Sequence, residues 1–354
     1  MKERNHTFDL LCGLCILRMI TLHVAGLCGM RADYWCGKMM AWTFFFMSFF
    51  FFKAGYFNKT VAGNTGQYVK DRARRLLVPY LSWGIIGSIV YGGFLLIDQE
   101  RFAPHIRRLQ WSHVWETSQW YGNPPLWFLL SFFAAYVVMH LMGKVRGLQW
   151  AVLLFPLVGW GLWKLGNPLW LSLNNVFMGV FFFWLGKLWR RVVFAATASQ
   201  PTAKEEQARR WRRLVLLLAS LLMVAVFIWL NRHAHGEYEM SFNRFLKRPV
   251  SALVVNVLCL CGISGLLFCL PQRRIPLVNY VGEHSMVFFV VHYIVMHVYQ
   301  LTRHLFGHGI RHHWDDFILM LMLTLVVCAW LVPYVEKVPV LSGRWKKGKV
   351  KSEK

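Results

Sequence analysis

Negative charge is scarce in this sequence. Only 16 residues are Asp or Glu, against 40 Lys and Arg, and charged residues of both signs make up 16% of the chain. A chain of 354 residues with 56% hydrophobic residues and a mean hydropathy of +0.40 has too little polar surface for a soluble globular protein. The shortage of charge therefore predicts an integral membrane protein.

No metal or nucleic-acid signature accompanies the excess of positive charge. The eight Cys residues show no metal-ligand spacing, and most lie in or beside apolar runs, where Cys serves as a small hydrophobic residue. Cys28 and Cys36 flank the first outward loop and either form a disulfide or stay free. The formal charge of +24 comes from basic residues in short stretches between apolar runs, a pattern that orients a membrane protein. We therefore expect membrane lipids as partners, and no nucleic acid.

Long apolar runs predict the transmembrane helices. A helix needs about 20 apolar residues to cross a bilayer. Ten runs are candidates: 8–29, 39–58, 76–97, 124–142, 150–166, 169–188, 214–231, 249–270, 283–301 and 316–334. The predicted fold class is therefore all-α, a polytopic membrane protein with about ten transmembrane helices.

The distribution of Lys and Arg predicts the orientation of these helices. If the N-terminus is cytoplasmic, the segments on the cytoplasmic side carry 25 Lys and Arg, against 12 on the opposite side. We therefore expect both termini in the cytoplasm. The predicted domains are a transmembrane domain over residues 1–336 and a basic cytoplasmic tail over residues 337–354, and no cleavable signal peptide is expected.

An ionisable residue, His23, lies inside the first apolar run. Such a group costs roughly 2.5 to 3.5 kcal/mol at membrane depth, so it is either functional or a packed residue that is hydrogen-bonded to a neighbouring helix. Asp9 lies fourteen residues earlier, about 21 Å along a helix, so the two side chains do not pair. Helical geometry predicts Cys12 on nearly the same face as His23, and Arg18 on another face.

Basic residues occur at and after the end of the second apolar run. Lys53 lies among aromatic residues, where it either binds a ligand or extends to the membrane interface. Arg72 and Arg75 are three residues apart and share a helix face. The two arginines either anchor a helix at the cytoplasmic surface or bind phosphate, which guanidinium groups do in a bidentate manner.

Several short motifs occur along the chain in the order of a known family. They are His23; Ala54-Gly55-Tyr56 after a Phe-rich run; Arg72 and Arg75 before Pro79-Tyr80; Leu126-Trp127-Phe128-Leu129; and Gly282-Glu283-His284-Ser285 with His292. In this set the chain resembles the acyltransferase-3 family of membrane acyltransferases. Two positions differ from the family pattern: Cys12 stands where the family has a first-helix arginine, and Ala54 where it usually has serine.

The resemblance implies an enzyme of the bacterial cytoplasmic membrane. Such an enzyme transfers an acyl group, usually acetyl, from acetyl-CoA or a related acyl-CoA to a hydroxyl of a polysaccharide or lipid-linked sugar outside the cytoplasm. The polyanionic end of the donor stays out of hydrocarbon, so we expect it to bind Arg72 and Arg75. Arg18, Lys53 or both would replace the charge of the missing arginine.

The same resemblance implies that His23 is the catalytic residue. An imidazole with an unperturbed pKa of about 6.5 can be neutral at working pH and accept the proton of an attacking hydroxyl, as a general base does. We expect a continuous tunnel to join His23, nearer the outer face, to the arginine pair at the inner face.

Four further residues are candidates for binding the acceptor. Trp127 either lines the tunnel or packs in the core, and His292 assists His23, lines the acceptor path or has a structural role. Asn174 is a costly polar group within an apolar run and is expected to face a cavity. Trp120 belongs to an outward loop rich in aromatic residues, which either mark the membrane interface or stack on sugar rings.

Other functions remain open from the sequence. The protein could be a glycan exporter that shares the fold without acyl transfer, which the missing first-helix arginine favours, or a structural subunit of a polysaccharide assembly complex. Self-association into a homo-oligomer is also considered. No metal cofactor is expected, because a histidine cluster after the ninth run has no carboxylate scaffold. Its members are His304, His308, His312 and His313.

Overall fold

A computed structural model describes residues 6–58, 64–97, 111–197, 203–270, 274–306 and 314–345. Helices dominate these segments. They are α1 (His6–Leu27), α2 (Tyr34–Thr43), α3 (Phe46–Phe57), α4 (Thr65–Ile97), α5 (Trp111–Thr117), α6 (Trp127–Met142), α7 (Phe155–Lys164), α8 (Val176–Thr197), α9 (Ala203–His233), α10 (Pro249–Cys269), α11 (Pro276–Glu283), α12 (Ser285–Leu305), α13 (Trp314–Lys337) and α14 (Pro339–Ser342). Short 3-10 helices comprise Met30–Ala32, Pro124–Leu126, Leu148–Leu154, Leu173–Asn175 and Met240–Phe242.

The helices confirm an all-α polytopic membrane protein. Within the described residues, eight helical segments are long and apolar enough to cross a membrane. Two of the ten predicted spans do not meet that standard. The span predicted at 150–166 is a 3-10 helix followed by the ten-residue α7, and the span predicted at 169–188 overlaps α8, which carries three basic residues. The number ten and the cytoplasmic side of both termini stay predictions.

Helix α4 begins earlier than the predicted apolar run. It starts at Thr65 rather than near residue 76 and continues through Pro79. The basic stretch that contains Arg72 and Arg75 is therefore helical, and their three-residue spacing does place them on one side of a helix. Cys28, directly after α1, and Cys36, in α2, are both buried free thiols.

Glycines allow α3 and α8 to pack with their backbones in contact. A Cβ atom at Gly55 would lie 1.7 Å from the carbonyl oxygen of Phe183, and one at Gly186 would lie 1.9 Å from that of Phe52. Lipid tails are as apolar as the side chains, so helices in a bilayer associate through close packing of small residues rather than through the hydrophobic effect. This contact fixes the position of α3, which carries Lys53.

Helices α1 and α11 meet in the same way. A Cβ atom at Gly13 would lie 1.9 Å from the carbonyl oxygen of Val278, and one at Gly282 would lie 1.8 Å from that of Asp9. Because Gly13 follows Cys12 directly, the contact also fixes the place of the Cys12 side chain. Helix α1, which carries His23 near its other end, is therefore held against its neighbours by its backbone.

The first part of the predicted basic tail is folded onto α4. The indole nitrogen of Trp83 donates a 2.9 Å hydrogen bond to the carbonyl oxygen of Leu341, and that of Trp345 donates one of 2.9 Å to the carbonyl oxygen of Arg74. Gly343 has a φ of 66°, and a Cβ atom there would lie 2.3 Å from the carbonyl oxygen of Arg75. The segment after residue 336 thus packs beside the arginine pair. Residues 346–354 of the tail lie outside the described residues.

A two-stranded antiparallel hairpin connects α9 to α10. Its strands are β1 (Glu237–Glu239) and β2 (Arg244–Lys247). This segment lies between the predicted spans 214–231 and 249–270, and its strands of three and four residues are too short to leave a clear periodic signal in the sequence. The hairpin packs on α10 and contacts α7.

We predict that Gly55→Ala destabilises the protein, because the added methyl group would overlap the carbonyl oxygen of Phe183. Overpacking of this kind costs about 1–3 kcal/mol. Gly92→Ala in α4 is the matched control, since a Cβ atom there meets no atom within 4 Å and removing a helical glycine stabilises by up to about 1 kcal/mol. Thermal unfolding in detergent, followed by size-exclusion chromatography, should show a lower midpoint for Gly55→Ala only. Equal midpoints for the two variants would contradict the packing argument.

Candidate functional site

His23 faces a cavity at one end of the helix bundle. The cavity has a volume of about 430 Å³, and we call it the His23 cavity; helix α1 contributes Arg18 and His23 to its lining, the α5–α6 region contributes Gln119 and Trp127, and helix α12 contributes Tyr293. The hairpin β1–β2 forms the remaining side. The predicted catalytic histidine and the predicted Trp127 are therefore brought together in one cavity.

The imidazole of His292 lies beside that of His23. Their ring centroids are 5.4 Å apart, and the ring of Tyr293 lies 5.4 Å from His23 at a steep angle. Nδ1 of His292 lies 3.0 and 2.8 Å from the carbonyl oxygens of Phe288 and Phe289. Carbonyl oxygens only accept hydrogen bonds, so Nδ1 carries the proton and the neutral ring keeps a free electron pair on Nε2.

That nitrogen of His292 is buried in the core. The residue has no solvent exposure, and Nε2 has no hydrogen-bond partner among the described residues. Buried polar atoms are nearly always satisfied, so an unsatisfied acceptor next to a catalytic candidate requires an explanation. Nε2 of His292 can therefore accept a hydrogen bond or a proton.

Arg18 occupies a different place from the predicted one. The five-residue separation was interpreted as placing it on another face from His23, yet both residues line the His23 cavity. The long side chain bends around the helix: Nε donates a 2.9 Å hydrogen bond to Oγ1 of Thr43, and the guanidinium carbon lies 3.8 Å from the centroid of the Phe46 ring. Arg18 is therefore placed with the His23 cavity and not with the predicted donor arginines.

A second cavity lies deeper along α1 and α3. Its volume is about 270 Å³, and we call it the Lys53 cavity. Apart from Lys53 and Ser285 its lining is apolar or aromatic, with Phe50, Phe128 and Tyr136 among the rings. Such a lining accepts a thin, largely apolar chain and excludes highly charged groups.

The ammonium group of Lys53 lies where the first-helix arginine is missing. Its Nζ is 2.8 Å from Sγ of Cys12, the residue that replaces that arginine. Lys53 reaches this point from α3, 41 residues further along the chain. Lys53, one of the two predicted replacements for that arginine, therefore brings its charge to the surface of helix α1.

Arg72 stands at the edge of the Lys53 cavity. Its guanidinium carbon lies 4.0 Å from the centroid of Tyr136, a ring that lines the cavity, and 5.1 Å from that of Tyr68. Tyr68 in turn stacks on His140 with 4.1 Å between ring centroids. Cation–π contacts of this kind hold a guanidinium in a fixed orientation. Arg75, one turn further along α4, has an exposed side chain.

The two cavities share part of their walls. Met47 and Phe289 line both of them, and the Phe289 ring lies 5.6 Å from that of Phe128. The structure thus differs from the predicted continuous tunnel, because two cavities meet back to back at these side chains. Met is unbranched and flexible, so it can move aside at lower cost than a β-branched residue.

Trp120 does not line the His23 cavity. It lines a separate apolar cavity of about 660 Å³ together with Tyr80, Leu81 and Trp115. A Cβ atom at Gly84 would lie 2.4 Å from the indole ring, which shows how closely that ring packs on α4. Trp120 belongs to a predicted outward loop rich in aromatic residues, and the sequence alone does not indicate which cavity each ring of that loop lines. Residues 98–110 of this loop lie outside the described residues.

Asn174 also has a different surrounding from the predicted one. Its amide oxygen accepts a 3.1 Å hydrogen bond from the backbone nitrogen of Leu169, and its amide nitrogen donates to the carbonyl oxygens of Leu169 at 2.8 Å and Asn167 at 3.1 Å. It lines neither the His23 cavity nor the Lys53 cavity. These contacts stabilise the turn that leads into α8.

Among the residues that the structure describes, one group of side chains could hold a cation. Ligand atoms of His6, Asp9 and Glu283 all lie within 4.8 Å of one another. Nη2 of Arg274 lies 3.8 Å from Oε1 of Glu283, so this carboxylate is paired with a guanidinium. The expectation of no metal cofactor stays a prediction, and His308, His312 and His313 lie outside the described residues.

The hairpin is the part of the site that sequence reasoning missed. Glu237, Glu239, Ser241 and Phe242 from this segment line the His23 cavity. A signal was present in the sequence: Tyr238 is flanked by charged residues at alternate positions, and Asn243 is a typical turn residue between the two short strands.

Comparison with protein families supplies the identity of the chain. The family model described as the Acyltransferase domain, that of acyltransferase-3, matches residues 5–333, which is nearly the whole sequence. No curated protein matches the chain. The protein is therefore a multi-pass membrane protein that belongs to the acyltransferase-3 family.

Proposed function

We propose that the protein transfers an acyl group, in the first instance acetyl, from cytoplasmic acyl-CoA to a hydroxyl of a polysaccharide or lipid-linked sugar on the other side of a bacterial cytoplasmic membrane. The observation that carries the proposal is the pair of cavities that meet at Met47 and Phe289. One has a polar lining with a histidine, and the other is apolar with a cationic group at its edge.

The donor fits the Lys53 cavity. Its phosphates bind Arg72, whose planar guanidinium is held on Tyr136, and the exposed Arg75 adds a second charge outside the cavity. The uncharged arm of the donor passes between the aromatic rings. Cys12 and His23 are eleven residues apart, about 16 Å along the helix axis, so Lys53 contacts the arm and the thioester carbon lies further along, towards His23.

The acceptor hydroxyl enters the His23 cavity. Its oxygen attacks the thioester carbonyl carbon while the imidazole of His23 takes its proton, and a carbon–oxygen bond forms as the carbon–sulfur bond breaks. The leaving thiolate of CoA receives that proton from His23, which restores the neutral imidazole. The products are an acyl ester of the acceptor and free CoA.

His292 and Trp127 support this step. The protonated Nδ1 of His292 donates to the backbone, so its Nε2 is available as an acceptor beside His23 and can orient that ring or share its proton. Trp127 is buried in the wall of the His23 cavity and limits the positions that an acceptor can take. Lys53, Arg72 and Arg75 bind the donor; Arg18, on the cavity wall, faces the acceptor.

We expect His23→Gln to lower acyl transfer by at least about 100-fold, because a positioned general base contributes roughly 100- to 10,000-fold. The measurement is transfer of labelled acetyl from acetyl-CoA to the glycan fraction of membranes that contain the protein. His233→Gln is the control, since that exposed histidine lines neither cavity.

Full transfer activity in folded His23→Gln protein would exclude His23 as the base. Glycan translocation into vesicles without any dependence on CoA would instead favour an exporter that shares the fold.

Arg72→Lys should raise the KM for acyl-CoA by about ten-fold, because lysine keeps the charge but loses the planar, bidentate group that rests on Tyr136. The turnover number should change less than KM. Arg74→Lys is the matched control on the same helix, with an exposed side chain. If both variants show the same KM as the wild type, Arg72 does not bind the donor.

Met47→Trp should abolish transfer while leaving acyl-CoA binding in place, because a larger ring at the shared wall blocks the junction of the two cavities. Met47→Leu is close in volume and should retain activity. Size-exclusion chromatography and isothermal titration with acyl-CoA check folding and donor binding. A folded Met47→Trp protein that transfers acyl groups at the wild-type rate would show that the acyl group takes another path.

A further inference from the structure

The hairpin β1–β2 stands over the His23 cavity, at the same end of the bundle as the catalytic candidate. Glu237, Glu239, Ser241 and Phe242 line the cavity from the hairpin side. The carboxylate-bearing residues are half-buried, and Phe242 is 36% exposed. No other described segment places carboxylate side chains in the His23 cavity, which gives the hairpin a distinct chemistry.

The hairpin is held rigidly against the helices. A Cβ atom at Gly236 would lie 2.2 Å from the backbone nitrogen of Ala252, so the chain before β1 is in direct contact with α10. At the turn, the hydroxyl of Tyr238 donates a 3.0 Å hydrogen bond to Oδ1 of Asn243. Side chains on a hairpin that is held in this way keep a fixed geometry, and a fixed geometry lowers the entropic cost of binding a ligand.

Asn243 also fastens the hairpin turn to α7 and to the loop that follows it. Its amide nitrogen donates to the carbonyl oxygen of Gly159 at 2.9 Å and to Oδ1 of Asn167 at 2.8 Å. Asn167 in turn donates from its amide nitrogen to the carbonyl oxygen of Phe242 at 2.8 Å. The predicted Asn174 belongs to the same support, since it donates to the carbonyl oxygen of Asn167. These three asparagines therefore hold the hairpin turn in place.

The charges that face the cavity are balanced. Arg18 and Arg31 supply two guanidinium groups, and Glu237 and Glu239 supply two carboxylates. A carboxylate accepts several hydrogen bonds and a guanidinium donates several, so together they satisfy the many hydroxyls of a sugar, which both donate and accept. The rings of Trp127 and Phe242 offer flat apolar faces to the carbon skeleton of such a ligand. Lys247 lies 3.8 Å from Glu237, and because the charges that line the cavity balance, an acidic sugar gains no net electrostatic attraction there. Removing its carboxylate from water nevertheless costs free energy, which favours a neutral sugar.

We propose that the hairpin is the acceptor-recognition element and that it selects a neutral sugar. Glu237 and Glu239 accept hydrogen bonds from hydroxyls of that sugar, Phe242 packs on its ring, and one hydroxyl is presented to His23. The inference rests on the proposed acyl transfer and adds to it the class of acceptor and the residues that select it.

The test compares Glu239→Gln and Phe242→Ala with the wild-type protein in membranes. The acceptor is the purified glycan fraction of the same cells, added at increasing concentration with labelled acetyl-CoA. Each variant should raise the glycan concentration needed for half-maximal transfer by about ten-fold, because one charge-assisted hydrogen bond or one ring contact is lost. The KM for acetyl-CoA should not change. Glu116→Gln is the control, an exposed carboxylate near the same end of the bundle that does not line the cavity.

The labelled product identifies the sugar class. Acid hydrolysis under conditions that keep the ester should place the label on a neutral sugar; label on an acidic sugar would overturn the proposal. Unchanged half-maximal glycan concentrations in both variants would overturn it too. Absence of labelled glycan with the wild-type protein would instead refute the acyl transfer itself, so the two failures are distinguishable. Phe242 is exposed, so Phe242→Ala tests the hairpin even if Glu239→Gln does not fold.

Discussion

Backbone contact between helices at glycine determines where the chemistry of this protein can occur. A bilayer does not drive apolar helices together, so their relative positions depend on how closely their backbones fit. Gly13 and Gly55 make such contacts on α1 and α3, directly beside Cys12 and two residues from Lys53. The approach of Lys53 to Cys12 follows from these two fixed helices. Both cavities lie against the same pair, so their geometry depends on the same contacts.

Three cationic side chains within the bundle, those of Arg18, Arg72 and Lys53, are tolerated because each has local compensation. Arg18 is hydrogen-bonded to Thr43 and rests on the Phe46 ring, Arg72 rests on Tyr136, and Lys53 contacts a thiol. Cation–π contacts and charge-assisted hydrogen bonds offset part of the cost of removing a charge from water. The positive groups consequently lie at defined points along the cavities, where they could contact the charged and polar parts of the proposed donor and acceptor.

Much of this arrangement was predictable from the sequence. Single polar residues in long apolar runs identified His23 and Lys53, and the ordered motifs identified Trp127 and Arg72. Side-chain reach and loop packing were not predictable in this way. Arg18 bends into the His23 cavity although its helical position points elsewhere, because its long side chain finds partners at Thr43 and Phe46.

Loops and short strands were harder to interpret than helices. Periodicity is a strong signal over some twenty residues and a weak one over three or four, so the hairpin was missed. Trp120 and Asn174 were candidates for binding the acceptor, but neither lines the His23 cavity: Trp120 packs against Gly84, and Asn174 is hydrogen-bonded to Asn167 and Leu169.

The wall between the two cavities suits the transmembrane transfer that we propose. In that reaction a donor with several negative charges and an acceptor with many hydroxyls would each stay on their own side, because desolvating either one costs too much free energy. Only the small, uncharged acyl group would need to pass Met47 and Phe289. A junction that stays narrow also limits the access of water to the thioester, which would otherwise be hydrolysed, and it limits leakage of protons across the bilayer. Two cavities that share a flexible side chain, Met47, therefore suit the proposed acyl transfer better than an open channel would.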